Sequence, residues 1–331
     1  MMSVSTFFNS VAGMYLAQSF CHAVIAAMIT DRALKAWNIY DPLVRQRFRL
    51  IVILYPIISF PLYQLMNPAR GSALFRLDSL FDISRWLFLE IWGFIPVSLF
   101  FLFLFAVTSL VFLFQEMLPV LRHSLAAEAP EHAVTHLDAD PFIGEASRTL
   151  SIKKPDVVLI DDDSPLLFST TGNNAVIFVS TGLTQALSRE QMQAALAHEL
   201  AHIARNRRPL LIAVFLLRII MFFNPIVLVK FRRAVRDEEK ICDDIAVSLT
   251  GNRAALADTL KVFYQKPEEL PEPDPQKLFA LNVSLEEYGH NMHLADRIKR
   301  LETGSTDRLE HWGFPFALTL LAVVVINYFV V

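Results

Sequence analysis

Phe7 to Thr30 runs for 24 residues without a charge, and few folds can use such a run. A helix rises about 1.5 Å per residue, so this stretch is long enough to cross a hydrocarbon core of about 30 Å. No basic segment precedes it and no lipoprotein-type cleavage box lies before Cys21, so it reads as an uncleaved span. Leu50 to Met66, interrupted by Pro56 and Pro61, reads as a kinked second span. Trp86 to Phe114 reads as a long third span, with Gly93 and Pro96 as kink points. Gly313 to Val331 is a terminal transmembrane helix. Asp31 to Arg49, carrying Arg32, Lys35, Arg45, Arg47 and Arg49, is the most basic short loop, and the positive-inside rule assigns it to the cytoplasm. Parity then returns the chain to the cytoplasm before Gln115. A content of 54% hydrophobic residues with 27 Phe fits the same lipid-embedded class. The net charge of −3, with no basic cluster among aromatics, argues against direct nucleic-acid binding. Cys21 and Cys242 lie in unlike contexts and suit a reducing compartment. His22, inside the first span, reads as a neutral imidazole packed between helices.

The partition that follows is an N-terminal membrane domain at 1–118, a cytoplasmic domain at 119–304 and a C-terminal span at 305–331. The middle part reads as mostly α with a small sheet. Asp156 to Ile160, Leu166 to Thr170 and Ala175 to Ser180 have the composition of short strands, and Thr171-Gly172-Asn173-Asn174 makes the last two a hairpin. Ala175, Val176, Ile177, Phe178 and Val179 are the candidate edge strand for an extended substrate; the alternative is an internal strand. Asp161-Asp162-Asp163 lacks the spacing of a calcium loop and reads as a solvated turn.

Downstream, Ala197-His198-Glu199-Leu200-Ala201-His202 contains HExxH. Four residues advance a helix by slightly more than one turn, so His198 and His202 share a face at the spacing of two zinc ligands. Glu199 lies about 100° round the helix, beside the metal, where its carboxylate can take a proton from an activated water. Ser188 and Gln191 form a capping box ahead of a run rich in Ala and Leu, so the motif sits on a helix.

Pro209 to Phe231 is a further apolar run. Were it a single crossing, everything after Lys230 would face away from His198 and His202, and a third ligand must share their side. The run is therefore expected to dip and return, with Asn224-Pro225 at or near a break, or to pack as helices against the domain that carries HExxH. Arg218 in its middle and basic residues on both flanks agree. Beyond it, Glu239 and Asp243 are i and i+4 on one helix. Glu239 is the expected third zinc ligand, and Asp243 the acceptor for the outer nitrogen of a ligating imidazole. Cys242 between them reads as a small buried side chain. Residues 265–277, with four prolines and four acids, read as a linker or lid. His290 and His293 read as surface or substrate-side residues, and His293 or Arg297 as a source of positive charge for an oxyanion.

HExxH, Phe223-Asn224-Pro225, Glu239-Lys240-Ile241-Cys242-Asp243 in ExxCD form and Arg297-Ile298-Lys299-Arg300-Leu301, at these intervals, resemble the BlaR/MecR-type integral-membrane zinc peptidases of bacteria. The kinship to Ste24/HtpX-type membrane proteases is looser. The resemblance implies a gluzincin-like fold, one zinc ion held by His198, His202 and Glu239, and Glu199 as catalytic base. It also implies an inner-membrane endopeptidase that cleaves a cytoplasmic protein such as a transcriptional repressor. Two alternatives stay open: a quality-control protease for membrane proteins, and a non-enzymatic scaffold or receptor that keeps zinc for structure. The family's penicillin-binding sensor domain has no counterpart after the last apolar segment, which puts direct β-lactam sensing in doubt.

Overall fold

The computed structural model describes residues 4–118, 133–136, 141–170, 174–205, 216–263, 293–304 and 312–331. The helices are α1 (Val4–Phe8), α2 (Val11–Ala36), α3 (Pro42–Met66), α4 (Ala73–Leu77), α5 (Ile83–Leu87) and α6 (Val97–Phe112), then α7 (Pro141–Thr149), α8 (Thr181–Ala186), α9 (Arg189–Arg205), α10 (Pro225–Thr250), α11 (Arg253–Phe263), α12 (293–303) and α13 (Gly313–Tyr328). The strands are β1 (Glu90–Ile91), β2 (Ile95–Pro96), β3 (Ala133–His136), β4 (Asp156–Ile160), β5 (Leu167–Ser169) and β6 (Val176–Ser180). Among the described residues the chain is thus mostly helical with two small sheets. It divides into a first unit of Met1–Ala127, Leu210–Asp237 and Asp307–Val331, and a second of Glu128–Pro209 and Glu238–Thr306. The expected turn at 171–173, Arg207 and Arg208, the stretch 265–277 and His290 lie outside the described residues.

Among the described residues of the first unit, three helices are long and apolar enough to cross a membrane: α2, α3, and α6 with its continuation to Gln115; α13 is a shorter apolar helix. Their ends do not coincide with the apolar runs. α2 continues through Asp31, Arg32 and Lys35, and α3 starts at Pro42, where Asp41 Oδ1 accepts from the Leu43 and Val44 N–H groups at 2.8 and 3.2 Å. Most of the basic loop is therefore helical, because backbone hydrogen bonding does not stop where hydrocarbon does. The third run needs a larger correction. Only its part from Val97 onward is a long helix; Ile83–Leu87 is a separate turn of helix and Glu90 to Pro96 a small hairpin. Trp92 and Gly93 sit at its turn with φ of 54° and 77°, so Gly93 serves a hairpin and does not kink a span. His22 is packed as expected: Nδ1 lies 2.7 Å from Ser59 Oγ and Nε2 3.1 Å from the Val330 carbonyl.

The described part of the run after Pro209 also departs from the expected partition. Helix occupies 216–220, a turn follows through Asn224, and α10 begins at Pro225. Asn224 caps it, its Oδ1 accepting from the Ile226 and Val227 N–H groups, and Pro225 at the first position needs no partner for a missing N–H. The chain reverses sharply enough that the Arg218 guanidinium lies 4.7 Å from the Phe231 ring centroid and 5.0 Å from that of Phe112. Met221 and Phe223 are buried in one cluster with Ala17, Ile53 and Phe105. The described residues of the segment thus fall in the first unit, where their apolar side chains find a matching surface. Ionic contacts reinforce the placement: Arg49 pairs with Asp237, and Lys230 with Asp31 at 2.5 Å.

In the second unit the sheet order is β3-β4-β6-β5, with β4 and β6 parallel and the other pairs antiparallel. The expected β5–β6 hairpin forms, but the edge assignment is corrected. Ala175, Val176, Ile177, Phe178 and Val179 fall on or beside β6, which is flanked on both sides. Its backbone groups go to β4 and β5, leaving none for a substrate strand. Among the described residues the edge strand at this end of the sheet is β5. After β6 the chain turns tightly into α8: the Gly182 N–H donates to the Asp162 carbonyl at 2.9 Å, and a Cβ on Gly182 would meet the Asp163 carbonyl oxygen at 2.0 Å. The acidic turn is locked by these contacts and by the Ser164 N–H donating to Asp162 Oδ1 at 2.7 Å.

Candidate metal centre

α9 starts where the capping box places it. The Ser188 N–H donates to Gln191 Oε1 at 2.8 Å and the Gln191 N–H to Ser188 Oγ at 3.3 Å. Almost every face of α9 is covered. Ala195, Leu196, Leu200 and Ile203 join a core with Ile177, Val179 and Leu183, while Ala194 and Ala197 join another with Ala246, Leu256, Leu260, Leu294 and Ile298. A helix so enclosed holds His198, Glu199 and His202 in fixed directions, the first condition for a precise site.

α10 brings the acids. Glu239, Cys242, Asp243 and Ala246 recur at helical spacing, with Cys242, Asp243 and Ala246 fully buried. His198 Nε2 and His202 Nε2 stand 3.1 Å apart, and each is 3.6 Å from a Glu239 carboxylate oxygen. One oxygen of Glu239 faces each imidazole, and one ligand atom from each of the three residues lies within 4.8 Å of the others. Ligands about 2.0–2.1 Å from a tetrahedral zinc are about 3.3 Å from one another, so a donor set of two imidazoles and a carboxylate at this spacing fits such an ion.

A second ring of groups surrounds the cluster. His198 Nδ1 lies 3.1 Å from Asp243 Oδ1, at ion-pair distance though off the line an aligned hydrogen bond prefers. His202 Nδ1 lies 3.4 Å from Cys242 Sγ. Asp243 thus stands at the imidazole where it was expected, and Cys242 does more than fill space. Arg297 on α12 donates to both Asp243 oxygens at 2.8 and 2.7 Å and to Glu239 Oε2 at 3.1 Å. Expected as a donor to an oxyanion, it is occupied first as a brace for the two acids. His293 opens the same helix one turn earlier. Glu199 stands aside from the cluster and accepts a 2.6 Å hydrogen bond on Oε2 from Ser169 Oγ of β5. Below the site, Arg205 makes a two-pronged pair with Glu238, its Nη2 2.8 Å from Oε2. Sequence reasoning missed Ser169 and this pair. The alternation of Leu167 and Ser169 on one strand face was the available signal for Ser169.

The charges are mutually dependent. Burial disfavours a charged His198, but Asp243 and Glu239 outweigh it and raise its pKa to about 9. Burial and the neighbouring His198 lower that of His202. Burial would raise Glu239, yet His198 and Arg297 pull it down to about 2. Asp243 is likewise held below the ordinary carboxylate range, burial being outweighed by His198 and Arg297. Cys242 is pushed up by burial and by Glu238 and Glu239, and stays a thiol.

A family model described as BlaR1 peptidase M56 matches residues 92–264, slightly more than half of the chain. A protein named protease HtpX homolog, from Thermoanaerobacter pseudethanolicus, is 34% identical over 93 residues, 28% of this chain; the match spans 29% of that relative's length. No solved structure matches the chain.

Proposed function

The chain belongs to the BlaR1 peptidase M56 family, and from that premise we propose that it is a zinc-dependent endopeptidase of a bacterial inner membrane, with its active site on the cytoplasmic side. The observation that carries the reading is the cluster of His198, His202 and Glu239, whose ligand atoms all lie within 4.8 Å of one another, with Glu199 outside it. His198, His202 and Glu239 hold the metal. Bound there, zinc supplies Lewis acidity to a water and to the scissile carbonyl. Glu199 accepts the proton of the attacking water and passes it to the departing amine nitrogen. Asp243 and Cys242 orient the two imidazoles through their outer nitrogens, and Arg297 keeps Glu239 and Asp243 ionised and aimed. An extended substrate pairs with the open edge of β5, a role the closed β6 cannot take. Supporting the cytoplasmic orientation, Arg32, Lys35, Arg45, Arg47 and Arg49 cluster where α2 ends and α3 begins.

The test is metal analysis of the purified full chain beside three variants. Wild type and Glu199→Gln should carry one zinc per chain, and only wild type should cleave casein; Glu239→Ala should carry none. Glu238→Gln is the control, chosen over alanine because Glu238 pairs with Arg205, and it should keep its zinc. Zinc lost from the Glu238 variant but kept by the Glu239 variant would overturn the ligand set. The substrate class is a cytoplasmic regulator, and cross-linking with the inactive Glu199→Gln chain checks it. One dominant soluble partner supports the regulator; many membrane proteins would replace it with quality control.

A further inference from the structure

Resting on the hydrolase reading above, we infer that Ser169 is a positioning residue for the general base, and that it ties Glu199 to the strand edge where substrate lies. Strand geometry makes the case. In the β5–β6 hairpin the Ser180 N–H donates to the Leu166 carbonyl at 3.0 Å and the Thr170 N–H to the Val176 carbonyl at 2.8 Å, with Phe168 opposite Phe178. Residues 166, 168 and 170 therefore turn their backbone groups toward β6, and the intervening Leu167 and Ser169 turn theirs to the open edge. Side chains alternate as well. Leu167 packs against the core that contains Leu196 and Leu200, so Ser169, two residues on, faces α9 too. There its hydroxyl donates to Glu199 Oε2 at 2.6 Å.

Two consequences follow. The hydrogen bond occupies one carboxylate oxygen, and among the described residues Oε1 accepts none, so Oε1 is the oxygen presented to the water. The same residue offers its backbone N–H and C=O to an incoming strand, so a substrate paired at Ser169 is placed relative to a base that Ser169 holds. Thr170, one step along, points the other way and braces the hairpin through Val176 at 2.9 Å; it cannot substitute. A hydroxyl is required at 169. Alanine leaves Glu199 free to rotate, while threonine keeps the donor on a residue well suited to a strand.

The experiment compares full-length, zinc-loaded wild type, Ser169→Ala, Ser169→Thr and Glu199→Gln in detergent, with casein as the probe. Initial rates are taken over a concentration series and zinc per chain is measured on the same samples. A positioning role predicts that Ser169→Ala keeps its zinc, holds KM within about twofold and loses about tenfold or more in kcat, with Ser169→Thr recovering most of the loss. Three results overturn it: an unchanged kcat in Ser169→Ala, a loss confined to KM, or zinc loss that follows the kcat loss. If wild type and Glu199→Gln are equally inert with full zinc, the hydrolase reading itself fails and this inference fails with it. Activity lost in Glu199→Gln but intact in Ser169→Ala removes Ser169 alone.

Discussion

His198 sits in an environment far from that of a free imidazole. Held near Asp243 and Glu239 in the metal-free chain, it keeps a proton up to a pKa of about 9 instead of 6.5. A raised pKa means that the folded chain binds this proton more tightly than the unfolded one. The stability it lends is full below pH 6.5 and is lost as pH rises through about 9. Zinc has to displace the same proton. Zinc affinity is therefore expected to climb about tenfold per pH unit across that window and level off above it, and the melting temperature of chelator-stripped protein to fall over the same range. Competition titrations with a calibrated zinc chelator at several pH values check the first; a flat affinity between pH 6.5 and 9 contradicts it. The partner acid gives a second expectation. Asp243→Asn preserves the shape that Arg297 grips but weakens the pull on the outer nitrogen of His198, so zinc affinity should drop about 10–100-fold while the chain stays folded. The HExxH spacing, Glu239 and Asp243 were legible because helical period alone aligns them. Ser169 was not, since alternation puts it on the face of Leu167 but does not say which helix packs on that face.

At the scale of elements, α9 and the second half of α10 are held together below the site by Arg205 and Glu238, whose side chains are about one-tenth exposed. Breaking one side of such a buried pair strands a charge. Glu238→Ala is therefore expected to destabilise by about 3–5 kcal/mol, whereas exchanging both residues for well-packed apolar ones should recover most of it. Thermal melts of the full chain in detergent distinguish these outcomes; equal losses in single and double variants would mean that packing, not charge, joins the helices. Elements also show where sequence reading ends. The capping box at Ser188 and the break at Asn224-Pro225 were readable because a side chain acts on its own backbone within three residues. Strand order was not. β6 pairs in parallel with β4, which is distant in sequence, and no local pattern says which neighbour closes the second edge of a strand. The hairpin at 90–96 was hidden for a different reason. Its residues run on into the apolar span they precede, and the left-handed backbone at Trp92 and Gly93 makes the turn.

For the whole molecule, the metal site and the topology constrain each other. Among the described residues α2, α3 and α6 are candidate crossings; if each crosses once, the connection around Tyr40 and the chain beyond Gln115 share a side and the hairpin around Trp92 takes the other. The described part of the run reverses at Met221 to Asn224, with Arg218 folded back over Phe231, and a return without a crossing is part of the proposed reading. His198 and Glu239, one before this segment and one after it, can then meet at one ion. Single cysteines at Tyr40 and Trp92, both exposed, and at Asp258 on α11 turn the reasoning into a measurement, because the native Cys21 and Cys242 are at least partly shielded. With a membrane-impermeant maleimide on intact cells, position 92 should label, and positions 40 and 258 only after permeabilisation. Labelling of 258 from outside with 40 still protected would require a net crossing between α3 and α11 that the proposed reading excludes. The expected pattern instead follows from one requirement: both helices that hold the ion must reach it from the same aqueous phase.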